Sequence, residues 1–374
     1  SLPAVNLTHI KKLTSDFAMI QFSKINQPDI YSGYTLDDNA RAMVALCQQY
    51  ELEKDNNLLI YIGRYLDFIE FCQQSDGFFL NYVDEEKQFT QQNYSTNLAD
   101  SNGRAIWALG YLISLREILP TDMVLQADIV LSKALPIVKE MHSTRAIAFV
   151  IKGLYYRNTT HKTLENTIII KTLADRLVQM YKHESDEEWL WFESYLTYAN
   201  SILPEAMLCA YLSTNQFNYL DVARSSFDFL LSKIFTDDRI KVVSNKGWLH
   251  KGKETIAVVM GGEQPIDVAY SILALSKFND MFYGEGYQEK METSFNWFLG
   301  KNHLEQVMYN PCTGGCYDGL EENYVNLNQG AESTVSYLMA RLTIEKSRRD
   351  EQKLIIDKEN FFTLSGQKAL VQKV

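Results

Sequence analysis

Hydrophobic and polar positions along the chain define two alternating kinds of segment. The first opens on a polar or acidic cluster and runs into an apolar stretch rich in small residues: YTLDDNARAMVALCQQY from Tyr34, NLADSNGRAIWALGYLISL from Asn97, HSTRAIAFVIKGLYY from His142, LTYANSILPEAMLCAYLS from Leu196, GGEQPIDVAYSILALSKF from Gly261 and NQGAESTVSYLMARLTI from Asn328. The second is amphipathic at helical period with a charged outer face: LTHIKKLTSDFAMIQF, NNLLIYIGRYLDFIEFC, MVLQADIVLSKALPIVKEM, TIIIKTLADRLVQMY, YLDVARSSFDFLLSKIF and YQEKMETSFNWFLG. Such an alternation predicts an all-α, (α/α)6 toroid of six helical hairpins. The apolar helices form an inner ring buried on nearly all sides, and the amphipathic ones form an outer ring that wets one face. The expectation is one such unit over residues 1–374, with the first outer helix from about residue 7 and a polar tail from about 345 that prolongs the last helix.

Strand signals are thin. FFLNYVDEE, after Asp76 and Gly77, and RIKVVSNKGWL from Arg239 are short enough for hairpins on the rim. Asp37 or Asp38, and Asp100 or Ser101, stand where they can cap inner helices, and Pro204 and Pro265 fall near helix starts, where a missing N–H is tolerated. In a toroid these polar clusters converge on one rim, because all sit at the same end of the inner helices. Capping alone does not require that convergence.

Composition narrows the function classes. A net charge of -11 lacks the basic stripe that a nucleic-acid backbone requires, and Lys346, Arg348, Arg349 and Lys353 alternate with acids as on a solvated face. No apolar run reaches the ~18–20 residues of a membrane span, so a cytoplasmic protein is expected, or a periplasmic one if a signal has been removed. Five cysteines imply no disulfide framework. Cys312 and Cys316 share a Gly-rich loop, but no second ligand pair accompanies them, so no metal is expected. Dinucleotide and nucleoside-triphosphate loops are missing, as is a nucleophile elbow, and no cofactor is implied.

The candidate cleft is acidic and aromatic. Tyr34, Asp37, Asp38, Asn39, Arg41, Asp100, Arg104, Trp191, Glu193, Tyr198, Asn200, Trp248, His250, Glu263, Gln264 and Glu332 are the principal members, with Asn102, Tyr195, Glu205, Asp267 and Asp318 beside them. Aromatic faces stack on pyranoses, while carboxylates, amides and guanidinium groups match hydroxyls; glycosidic cleavage adds a demand for two carboxylates. Asp38 is expected to face the cleft with Asp37 as the cap. Arg41 and Arg104 are placed to return over Asp38 and Asp100 and hold them ionised, as suits a base or nucleophile. Glu193, beside Trp189 and Trp191, is expected to be a desolvated acid, with Glu263 and Glu332 as rivals.

The strings YTLDDNARA, ADSNGRAIWALG, WFESYLTYANSILPEAML, NKGW, EQPIDVA, FLGKNHL, TGGCYDGL and NQGAEST together resemble the helical region found at the C-terminus of some bacterial family-4-type glycosyltransferases and as a stand-alone protein beside mannoside-processing genes. The resemblance runs from about Tyr34 to Arg341 and implies a six-hairpin glycosidase-like toroid. Ser194 stands where that family usually has an acid after WFE, and no nucleotide-sugar-binding domain accompanies the toroid. The expected activity is therefore glycoside hydrolysis of manno- or related oligosaccharides, with Asp38 or Asp100 as base or nucleophile and Glu193 as acid. Two other classes stay open: a non-catalytic carbohydrate-binding or glycosyltransferase-associated module, and a sugar epimerase or isomerase. Toroids of the last type use several cleft histidines, and this chain has 6 His in all.

Overall fold

The computed structural model describes residues 1–236, 238–253 and 259–371. Twelve principal helices alternate between an outer and an inner ring. The outer helices are α1 (Thr8–Leu13), α3 (Leu59–Cys72), α5 (Thr121–Val138), α7 (Leu164–Glu184), α9 (Phe217–Ile234) and α11 (Tyr287–Phe295). The inner helices are α2 (Leu36–Glu53), α4 (Ala99–Ser114), α6 (Thr144–Thr160), α8 (Ile202–Thr214), α10 (Pro265–Met281) and α12 (Ala331–Val371). Each inner helix packs on the next, and α12 returns to α2, so the inner ring closes and the chain is an (α/α)6 toroid. No helix among the described residues is long and apolar enough to cross a membrane.

Small residues set the spacing inside the ring. A Cβ added to Gly110 of α4 would lie 2.0 Å from the Gly153 carbonyl oxygen of α6, and one added to Gly153 would lie 2.5 Å from that of Ile106. The two backbones touch there, which only glycine permits. The wide apolar face of each inner helix is buried in one continuous cluster that includes Trp107, Phe149, Met207, Tyr270 and Met339.

The N-terminal segment departs from the expected outer helix. Helix α1 stops at Leu13, and Ser15 Oγ accepts from the amides of Phe17 and Ala18, a local turn that competes with helix. The chain then forms β1 (Ile20–Lys24) and β2 (Gln27–Thr35), an antiparallel hairpin whose first residues, Ile20 to Phe22, the period-3.6 reading of LTHIKKLTSDFAMIQF places in the helix. Its turn holds Ile25 at φ 56°, and this unfavourable conformation is clamped from far along the chain. Asn328 Oδ1 accepts from the Ile25 amide at 2.8 Å, and the Gln329 amide donates to the Ile25 carbonyl at 2.7 Å.

The rim strands are shorter than their signals. From FFLNYVDEE only β3 (Tyr82–Val83) forms, pairing with β2. From RIKVVSNKGWL only β5 (Leu249–His250) forms, pairing with β4 (Tyr195–Leu196). Two further two-residue pairs, β6 (Tyr309–Asn310) with β7 (Gly315–Cys316) and β8 (Gly319–Leu320) with β9 (Val325–Asn326), shape the loop before α12. That helix continues through the polar tail, where Lys346 pairs with Asp350 and Arg348 with Glu292, as expected of a solvated face.

Candidate functional site

The inner helices begin at one end of the toroid, and hydrogen bonds from α12 through α2, α4, α6 and the segment before α8 to α10 link the polar clusters around the rim. Arg41 Nη2 of α2 lies 3.3 Å from Glu332 Oε2 of α12. Arg104 Nη1 of α4 lies 2.7 Å from Asp37 Oδ1 of α2. Asp100 accepts from Ser143 Oγ at 2.9 Å and from the Tyr198 hydroxyl at 2.5 Å. Arg145 of α6 donates to Glu193 Oε1 at 2.5 Å, to Thr197 Oγ1 at 2.8 Å and to Asn200 Oδ1 at 3.1 Å. The Ala199 amide then donates to Asp267 Oδ1 of α10 at 2.7 Å, and Asp267 feels the charge of Glu332, which brings the ring back to its start.

Adjacent Asp37 and Asp38 occupy opposite environments. The cap of α2 is Thr35, not Asp37: its hydroxyl oxygen accepts from the Asp38 amide at 3.1 Å and donates to Asp38 Oδ2 at 2.7 Å. Asp38 is 3% exposed, with Arg41 Nη2 3.4 Å from Oδ1. Burial outweighs the arginine, and nearby Glu332 adds repulsion, so the carboxyl is pushed up to about 7. Arg41 therefore does not hold Asp38 ionised, as its spacing had suggested. Asp37 instead keeps its side chain 23% exposed and forms the ion pair with Arg104, the arginine expected over Asp100. Asp267 is likewise pushed up to about 7, chiefly by burial. Asp100 and Ser101 cap nothing; Asn97 Oδ1 accepts from the Ala99 amide at the start of α4.

Glu193 also departs from expectation. Trp189 and Trp191 turn into the core, at 1% and 0% exposure, and Trp189 Nε1 donates to the Glu193 backbone carbonyl at 2.8 Å. Arg145 and Thr144 hold the carboxylate, at 2.5 and 3.1 Å. Its partners are thus a guanidinium and a hydroxyl, with the guanidinium contact the charge-assisted one.

Several other expected cleft residues are structural. The Tyr34 ring is buried against Phe17 and Phe68. Asn39 braces the N-terminal strand, accepting from the Met19 amide and donating to the Thr35 carbonyl oxygen. Asn102 does the same for Phe79. Glu263 is 2% exposed and takes Trp297 Nε1 at 3.1 Å, with His303 Nδ1 at 3.5 Å; burial raises its pKa. Gln264 holds the N-cap position of α10 without a side-chain cap bond. Asp318 accepts from the Gly330 amide and Ser333 Oγ, bracing the start of α12. Glu205 is farthest from expectation: it pairs with Lys152 inside a different cavity.

What remains open to a ligand is a cleft of about 460 Å³ lined by His142, Arg145, Glu193, Tyr195, Tyr198 and Trp248. Trp248 is 47% exposed and stacks on Tyr195 at 5.6 Å, while exposed His250 meets the edge of the same tyrosine. Tyr198 is 41% exposed and lies 4.9 Å from the Arg145 guanidinium. Sequence reading missed Ser143, Thr144, Arg145 and Thr197. HSTRA carries no acid, and its basic residue matters only because Glu193 and Asn200 arrive from another segment. Among the described residues no group of three or more His, Cys, Asp or Glu is placed to hold a metal ion.

The chain matches no protein-family profile, and no curated protein matches it by sequence. Solved structures share its fold. A cellobiose 2-epimerase from Bacillus thermoamylovorans superposes with a TM-score of 0.69 at 12% identity, over 92% of this chain and 96% of that one. A D-mannose isomerase gives 0.67 at 13% identity, over 91% and 96%. An inactive variant of an α-1,6-mannanase from Salegentibacter sp., altered at two consecutive aspartates and bound to α-1,6-mannotetrose, gives 0.60 at 13% identity, over 90% and 95%. At these identities the likeness concerns the fold.

Proposed function

We propose that the cleft is a glycan-processing active site that hydrolyses manno- or related oligosaccharides. Asp38 is the proton donor and Asp37 the charged carboxylate that serves as base or nucleophile. The observation that carries this reading is the split between two adjacent carboxyls. One is buried and pushed up to about 7, and its neighbour is partly exposed and paired with Arg104. Adjacent carboxyls in unlike surroundings can divide the acid and base roles of a single reaction. In this reading Glu193, Arg145, Asp100 and Tyr198 bind hydroxyls, and Trp248 offers a face to a pyranose. Support also comes from the mannanase, whose inactive variant carries changes at two consecutive aspartates.

A second reading, sugar epimerisation or isomerisation, draws on the cellobiose 2-epimerase and mannose isomerase folds and on His142, which lines the cleft beside Glu193. The discriminating experiment incubates the purified chain with α-1,6-manno-oligosaccharides, cellobiose and mannose, and separates the products by chromatography. Wild type, Asp37→Asn, Asp38→Asn and His142→Ala are run side by side. Release of shorter sugars that either aspartate substitution abolishes supports hydrolysis. Isomerised sugar without chain shortening, lost in His142→Ala, supports the second reading, and inertness towards every substrate sinks both.

A further inference from the structure

The opposite end of the inner ring holds a second cavity, of about 530 Å³, within the usual range for small-molecule sites. An aromatic layer of Trp107, Phe149 and Tyr270, with ring centroids 5.5–6.2 Å apart, lies between it and the ring of helix starts. Arg104 rests 5.2 Å from the Phe149 ring, one turn before that layer, and Lys152 rests 4.4 Å from the Trp107 ring, one turn after it.

The floor of this cavity is the ion pair of Lys152 and Glu205, 2.8 Å apart and at most 2% exposed. The two meet without hydrogen-bond angles: Lys152 Nζ and Glu205 Oε2 have no hydrogen-bond partner among the described residues, and neither has buried Gln48 Oε1 in the same wall. Buried donors and acceptors left open in this way destabilise the fold unless a ligand or water completes them. Farther out, Lys277 Nζ contacts the Tyr156 hydroxyl at 3.0 Å and lies 4.6 Å from the Tyr155 and Tyr156 rings. At the mouth Glu51 accepts from the Tyr111 hydroxyl at 3.2 Å, and Asp350 pairs with Lys346.

From this arrangement we infer that the cavity is a second ligand site, built for a neutral polyhydroxylated molecule of mono- to disaccharide size. Charge decides the class. An anion entering must pass Glu51, Asp280, Asp350 and Glu351, whereas a cation reaching the floor meets Lys152 and Lys277. A hydroxyl both donates and accepts, so it satisfies Glu205, Gln48 and Lys152 together without carrying charge into the site. The rings of Tyr111 and Tyr156, edge to face at 5.0 Å, supply an apolar wall for carbon-bound hydrogens. The inference is independent of the chemistry proposed for the cleft.

Ligand-observed NMR titrations with mannose and cellobiose, and with gluconate and glucosamine as charged counterparts, test it on the full chain. Wild type is compared with Tyr198→Ala in the cleft and with Ser276→Trp and Thr159→Trp, which fill the second cavity from its wall and its mouth. The expected result is a neutral-sugar site that survives Tyr198→Ala, weakens at least tenfold in whichever filled variant melts like wild type, and binds both charged probes at least tenfold more weakly. Unchanged affinity in the folded filled variants, no neutral-sugar site in wild type outside the cleft, or tighter binding of a charged probe there would overturn it. Turnover in the filled variants, expected to equal that of wild type, reports separately on the cleft.

Discussion

Both ends of the inner ring carry ionised groups, yet they solve the problem of charge differently. At the helix starts, the carboxylates of the ring face an arginine, a hydroxyl or, for Asp267, a backbone amide, and many of these partners come from neighbouring helices. At the helix ends, Lys152 and Glu205 form a buried pair on the floor of a cavity, beside the Trp107 and Phe149 rings. An open ring of shared partners tolerates exchange of a proton or a ligand. A buried pair does not tolerate loss of a partner, because removal of one member strands the other in a poorly polarisable environment.

The largest expected effect breaks the cleft side of this comparison. Asp38→Asn and Asp37→Asn each lower kcat/KM by about a thousandfold, in the middle of the range for positioned acids and bases, while the thermal melt stays near that of wild type; steady-state kinetics on the oligosaccharide identified by the screen checks both. Next comes the buried pair. Lys152→Met leaves Glu205 buried alone and costs about 3–5 kcal/mol in urea unfolding, and the double variant Lys152→Met, Glu205→Leu recovers most of that loss.

A smaller effect is a pH dependence, and its sign follows from burial. Asp38 and Asp267 titrate higher in the folded chain than in the unfolded one, so the folded state holds more protons between about pH 4 and pH 7. Their stabilising contribution is complete below the unfolded carboxyl range and is lost as pH rises through about 7. Wild-type stability, measured by urea unfolding from pH 5 to pH 8, declines on this account, and the slope flattens in Asp267→Asn. If Asp38 is the acid, kcat/KM also falls above pH 7. The smallest effect is expected for Tyr198→Phe, which removes one hydrogen bond to Asp100: about 1 kcal/mol in substrate affinity, read as a KM increase of roughly fivefold with kcat unchanged.

The comparison also explains what was legible in the residues alone. Period and small-residue content identified all six inner helices, because a helix buried on all sides advertises itself without reference to its neighbours. The convergence of Asp38, Asp100 and Glu332 on one end followed from their common position at helix starts. Partners did not follow, since local spacing favours Arg104 with Asp100, whereas ring closure places Asp37 of the preceding inner helix 2.7 Å away. Glu205 looks like a cleft acid by its position near the start of α8, yet its side chain serves the opposite cavity.

By itself, then, the sequence determined which segments are helical, which are buried and which end of each inner helix is polar, because those properties arise within one or two turns of chain. Only the tertiary structure decided that Thr35 rather than Asp37 caps α2, that Arg145 clamps Glu193, that Trp191 belongs to the core, and that Asp38 is held near neutrality while Asp37 is paired. The Thr35 cap is local, but the others depend on desolvation and on partners roughly 40 to 290 residues away, and both come into being only when the ring closes.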